Sequence, residues 1–156
     1  LDYRPEGWDH NLGEELLKAT RIYVKSVLKL ISEFNIKGIA HITGGGLIEN
    51  LPRILPDNLK AVLEEKNWFK SDIFSLLQNK GDIDPKEMYR TFNMGIGMVL
   101  VVEPENREEV LNRAVELGEK AYLIGKVTEL DEDKKTKQKA NKDKNYVIRE
   151  KQITIK

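Results

Sequence analysis

The stretch "GIAHITGGGLIENLPRIL", residues 38–55, decides how the rest of this sequence is read. Ile39, Ala40 and Ile42 form a short apolar run after a turn-like Asn35, which predicts a buried strand delivering His41, Ile42 and Thr43 at its C-terminal end. Gly44, Gly45 and Gly46 follow at once, and "LIENLPRIL" then predicts a short helix limited by Pro52 and Pro56. A strand that runs through glycines into a helix offers backbone N–H groups to an anion, because glycine lets a ligand come close and the helix start adds partial positive charge. The loop lacks the lysine and hydroxyl of a Walker A sequence, and nothing supplies the third glycine of a dinucleotide fingerprint. A tight turn accounts for three glycines equally well. Asn50 and Arg53 lie three apart and share a helix face, where arginine suits phosphate as a planar fork. The competing reading of Arg53 is a surface ion pair, and of His41 a structural histidine near a strand end.

Upstream, "EELLKATRIYVKSVLKLISEF" places Leu16, Ile22, Tyr23, Val27, Leu30 and Ile31 at helical spacing and predicts one long amphipathic helix over 14–34. Downstream, "NLKAVLEE" fits strand or helix, and alternation of Leu59, Ala61 and Leu63 favours strand. "SDIFSLLQNKG" and "DPKEMYRTF" predict two short helices capped by Ser71 and Asp84. "MGIGMVLVV" predicts a buried strand whose first glycines, Gly95 and Gly97, leave room for something to approach the backbone. "ENREEVLNRAVELGE" predicts a helix ended by Gly118, and "KAYLIGKVTEL" a strand. Residues 131–145, nearly all charge and amide, predict a solvated flexible loop, after which "YVIREKQITIK" predicts a strand pairing back on the previous one as a long hairpin. The order of elements is that of a mixed α/β sandwich.

The totals bound the function. The 156 residues are the length of a single domain, 1–156, and 26 basic against 26 acidic residues leave no one-sign field to attract nucleic acid or an anionic membrane. No apolar run reaches the length of a membrane span. There is no cysteine, hence no thiolate metal site or thiol nucleophile, and the two histidines are far apart in sequence, so no metal spacing is evident. Trp68, with Phe69 and Phe74 nearby, reads as core rather than as a base-stacking platform, since basic and aromatic residues do not interleave there. Asn93, between a helix and a strand, is either a turn residue or an amide that orients a polar ligand. The first residue is Leu1, which suggests a piece of something longer.

"AHITGGGLIENLPRILP", residues 40–56, followed by "EMYRTFNMGIGMVLVV", residues 87–102, resembles the C-terminal half of the AIR synthetases, the phosphoribosylformylglycinamidine cyclo-ligases. "EELLKATRIYVKSVLKLI" before them and "AYLIGKV" after them fit as well, so the resemblance covers about residues 12–128. It implies an α/β sandwich with partly ferredoxin-like order. It implies a part in ATP-dependent closure of formylglycinamidine ribonucleotide to aminoimidazole ribonucleotide in purine biosynthesis. ATP makes a leaving group of the formyl oxygen and an amidine nitrogen attacks. The family's N-terminal half, which carries the motifs for ATP and Mg2+, has no counterpart here; this predicts that the chain alone is inactive. The other expectations are that N-terminal half as partner, a homodimer, a cytoplasmic location, and neither nucleic acid nor membrane as partner. On the matching positions, Gly44, Gly45 and Gly46 are expected to meet phosphate with Thr43 and Arg53 in support. Asn50 and Asn93 would orient substrate or nucleotide, and His41 would handle a proton, as an imidazole can near neutral pH. Related ATP-binding families, among them formylglycinamidine ribonucleotide synthetases and selenophosphate synthetases, carry different loops at this point. A non-catalytic domain for a phosphorylated ligand or partner chain is the other reading.

Overall fold

The computed structural model describes residues 2–130 and 152–156; the charged stretch 131–145 and the first part of the last predicted strand lie outside them. Helix α1 (Leu12–Leu16) starts with a reciprocal cap: the Asn11 side chain accepts from the Glu14 N–H at 2.9 Å, and the Asn11 N–H donates to Glu14 Oε2 at 2.8 Å. Helix α2 (Val24–Glu33) follows only after a break. The single helix expected over 14–34 is therefore two. The residues between find no core to bury in, with Leu17 84% and Ile22 81% exposed. β-branched Thr20 and Ile22 also weaken the helix, and Arg21 is drawn off to the Gly118 carbonyl and, at 2.5 Å, to Glu119 Oε2.

Strand β1 (Gly38–His41) leads through the glycines into α3 (Gly46–Asn50), which tightens into a 3-10 turn over Leu51–Ile54 as Pro52 comes in. Strand β2 (Leu59–Leu63) confirms the alternation of its apolar residues, with Ala61 and Leu63 buried. Helices α4 (Asp72–Gly81) and α5 (Pro85–Thr91), strand β3 (Met98–Val101), helix α6 (Arg107–Glu116) and strands β4 (Gly125–Glu129) and β5 (Ile153–Ile155) complete the order. The Asp84 cap accepts from the Lys86 N–H, whereas Ser71 makes no side-chain cap and instead donates to Glu15 Oε1 at 3.3 Å.

The strands form two sheets. β1 pairs antiparallel with β3, Gly38 opposite Val101 and His41 opposite Met98. In the other sheet β2 is central, antiparallel to β4 and parallel to β5. Over its described residues the last strand does not pair back on β4 as the expected hairpin would have it: β5 lies on the far edge of β2, parallel to it. Gln152, 1% exposed, anchors it there by donating from Nε2 to the carbonyls of Pro56 at 2.7 Å and Leu59 at 2.8 Å.

One core cluster joins both sheets, with Ala40 and Val99 from one and Ala61 and Leu63 from the other meeting Leu47, Leu51 and Met88 of the covering helices. A smaller cluster, Leu30 with Val110 and Ala114, holds α2 on α6. The architecture is the mixed α/β sandwich, α+β in character, that the sequence predicts. Among the described residues no helix is long and apolar enough to cross a membrane.

Candidate functional site

The antiparallel ladder of β1 and β3 brings two distant motifs to one end. Because His41 lies opposite Met98, the glycine loop that leaves β1 sits beside the turn that enters β3, and the Ile42 N–H donates to the Gly97 carbonyl at 2.9 Å. His41, Thr43 and Gly44 are exposed at this end, while Ile42, Gly46, Leu47 and Ile48 are buried beneath it. Thr43 and Asn93 line a common cavity of about 350 Å³, walled by Phe74, Phe92 and Leu77.

The three glycines differ in what holds them. Gly46 has φ of +55°, and a Cβ there would lie 2.1 Å from the Tyr89 carbonyl oxygen and 2.6 Å from that of Phe92, at the end of α5. Its N–H donates to the Thr43 carbonyl at 3.0 Å. Gly45, at φ +95°, packs against the Glu49 side chain. Gly44 has open space where a side chain would stand. Among the described residues no group accepts the N–H of Gly44 or of Gly45.

Asn50 is 7% exposed and spends its amide on the loop, donating from Nδ2 to the carbonyls of Gly46 at 2.8 Å and Gly44 at 3.1 Å. Its Oδ1 accepts from Arg53 at 3.2 Å, and the Arg53 guanidinium also lies 3.8 Å from Glu49. The structure therefore puts Asn50 beneath the glycines as their clamp, and Arg53 beside it with its side chain exposed.

The turn before β3 is held as firmly. Met94 is left-handed, φ +51°, and buried, and Gly95 follows at +91° where a Cβ would meet the Phe69 carbonyl at 2.7 Å. Asn93 Oδ1 accepts from the Gly95 N–H at 3.0 Å, and the buried Trp68 indole donates to the Met94 carbonyl at 2.9 Å. A non-glycine residue kept in this conformation implies surroundings that over-determine it. The room that the two glycines provide is filled from within the chain, at Gly95 by the backbone at Phe69 and at Gly97 by the Tyr23 hydroxyl. By its spacing Tyr23 belongs to the apolar stripe of the helix expected over 14–34. Its ring stands edge-on to His41, centroids 6.1 Å apart. The alternating glycines were the one signal that something packs there.

Residues 2–137 match the family model of the AIR synthase related protein, C-terminal domain. The chain belongs to the AIR synthase C-terminal domain family. Among relatives of this domain, the phosphoribosylformylglycinamidine cyclo-ligase of Syntrophus aciditrophicus is 51% identical over 134 residues, 86% of this chain and 39% of the relative. Those of Geotalea daltonii and Geobacillus sp. are 54% identical over 125 residues and 57% over 116, covering 36% and 34% of the relatives. The chain thus spans about two-fifths of the length of the cyclo-ligases it matches. The AIR synthase resemblance seen in the two glycine motifs is borne out, and the two-sheet α+β fold agrees with it.

Proposed function

We propose that this chain is the C-terminal domain of a cytoplasmic, homodimeric, ATP-dependent cyclo-ligase of purine biosynthesis. The reaction converts formylglycinamidine ribonucleotide to aminoimidazole ribonucleotide, ADP and phosphate. The observation that carries the reading is the convergence of His41, Thr43 and Gly44 with Asn93 at one end of the β1–β3 ladder, in a chain about half identical to named cyclo-ligases. Phosphate fits the loop: the N–H groups of Gly44 and Gly45 are without acceptors among the described residues, and Gly44 has open space beside it.

Bound ATP would supply the phosphoryl group that turns the formyl oxygen into a leaving group. This chain's part is placement and charge neutralisation, which suits phosphoryl chemistry better than a covalent nucleophile does. Gly44 and Gly45 hold phosphate oxygens by backbone N–H groups, with the Thr43 hydroxyl as a further donor and Arg53 adding positive charge; Gly46, expected from the sequence to join them, is buried and gives its N–H to the Thr43 carbonyl at 3.0 Å, so it shapes the loop instead. Asn50 acts through the loop it clamps, and Asn93 through its cavity face. His41 moves or holds a proton at the reacting end. Among the described residues no group of three or more His, Cys, Asp or Glu side chains converges as metal ligands do, and no step on this chain is assigned to Mg2+.

The partner is the N-terminal half of the enzyme. The exposed apolar side chains Val24, Leu28 and Ile31 of α2, with Leu16, Leu17 and Ile22 ahead of it, are the surface assigned to that contact. The test is ring closure from formylglycinamidine ribonucleotide and ATP, measured for the chain alone and for the chain joined to the N-terminal half of a cyclo-ligase relative. Turnover in the joined protein only, lost on His41→Asn, is expected. A folded but inactive joined protein would overturn the reading.

A further inference from the structure

Tyr23 does not sit in the apolar stripe its spacing suggests. It is the N-cap of α2, half-buried, and its ring plane stands at 68° to that of His41. On the other side its hydroxyl reaches over Gly97, where a Cβ would come within 1.9 Å of the oxygen and 2.8 Å of Cζ. Gly97 is not among the residues with positive φ, so its backbone does not demand glycine; space for the phenol does. The segment carrying Tyr23 is fastened on both sides to the end of α6. Arg21 donates to the Gly118 carbonyl and to Glu119 Oε2, and the Ser26 hydroxyl donates to Glu119 Oε1 at 2.5 Å. Burial, and after it the charge of Glu119, pushes the phenol up, so it stays protonated through the neutral range.

These contacts make a short relay: Gly118 and Glu119, just past α6, hold Arg21 and Ser26, which flank Tyr23 in sequence, and Tyr23 meets the imidazole exposed at the glycine loop. We propose that Tyr23 is a positioning residue, which through its ring edge and the gap at Gly97 fixes the rotamer in which His41 faces the loop's ligand. The inference rests on the role given to His41 above. Ring pairs of this geometry bias a side chain by a factor of about 2–12, enough to select one rotamer of an exposed histidine. Ordinary core packing of Tyr23 would predict lost stability without effect on the imidazole.

The experiment reads the imidazole itself, by NMR of the chain labelled at histidine. With only two histidines in the sequence, His41→Asn assigns the signals. Tyr23→Leu and Gly97→Ala are expected to move the His41 ring signals towards free-histidine positions and to average its χ1 couplings. Tyr23→Phe, which keeps the ring, is expected to preserve both. Leu30→Ala, which opens the small core on the other side of α2, serves as the control that lowers Tm without touching His41. The proposal is overturned if His41 is unchanged in folded Tyr23→Leu or Gly97→Ala, or if Leu30→Ala moves it as much. Ring closure by the joined protein decides the role of His41 separately: turnover kept by His41→Asn would remove that role while leaving the Tyr23 result to stand on the ring signals.

Discussion

Gly44 and Gly46 are two letters apart in one glycine run, yet substitution should separate them cleanly. Alanine at Gly46 drives a Cβ into the Tyr89 carbonyl, 2.1 Å away, on a left-handed backbone. We expect Gly46→Ala to cost at least about 1–3 kcal/mol, the range for overpacking, seen as a lower urea midpoint. Gly44→Ala meets no atom within 4 Å and should leave that midpoint unchanged while slowing ring closure in the chain joined to an N-terminal half, since the methyl group stands where the phosphate approaches. Equal stability loss in both would mean that Gly44 is structural too. Asn50→Ala should cost about 1–3 kcal/mol, because the Gly46 and Gly44 carbonyls lose their donor and stay partly buried. The sequence showed that a loop stood here and that Asn50 and Arg53 shared a face. It could not show that Asn50 turns inward, because that depends on where the carbonyls of the folded loop point. Nor could it show why residue 46 is glycine, since the obstructing atoms belong to α5, some forty residues away.

Between elements, α2 and α6 are joined by an ion pair with a measurable pH signature. Arg113 grips Glu33 with two nitrogens, at 2.7 and 3.0 Å. That grip, with help from Lys29, holds the Glu33 carboxyl at about 2 against an ordinary value of 4.5. A carboxyl lowered in the folded state favours folding fully above its unfolded pKa, and the contribution fades as pH falls from 4.5 towards about 2. Glu33→Gln should therefore lower Tm at neutral pH, and the gap to the unsubstituted chain should close over that acidic interval. A gap independent of pH would show that shape, not charge, joins the helices. The elements themselves were mostly legible, because periodicity and caps act locally: α4, α5, α6 and the strands fall where Ser71, Asp84, Gly118 and the apolar runs place them. Two failures share a cause. The helix over 14–34 is broken by a tether from Arg21 to Glu119, and β5 chooses β2 over β4 through Gln152, and both partners lie far along the chain.

For the molecule as a whole, a striped α2 is the largest anomaly. Val24 and Leu28 are each 61% exposed and Ile31 46%, although Leu30 on the same helix is buried. Without a covering partner, copies of the chain should associate through this face, as apolar patches do. Sedimentation velocity should show a weight-average mass that rises with concentration, and Leu28→Lys with Ile31→Lys should abolish the rise without lowering Tm. Persistence of the rise would place the sticky surface elsewhere. The central strand of the second sheet has a consequence of another kind. β2 is made early, at residues 59–63, but both of its neighbours come late, at 125–129 and 153–155. During synthesis its two edges stand open while α4, α5, β3 and α6 are added. Val62 and its neighbours are then an invitation to the wrong strand on another nascent chain. A cell making this polypeptide has reason to keep ribosomes well spaced along its message, or a chaperone close by.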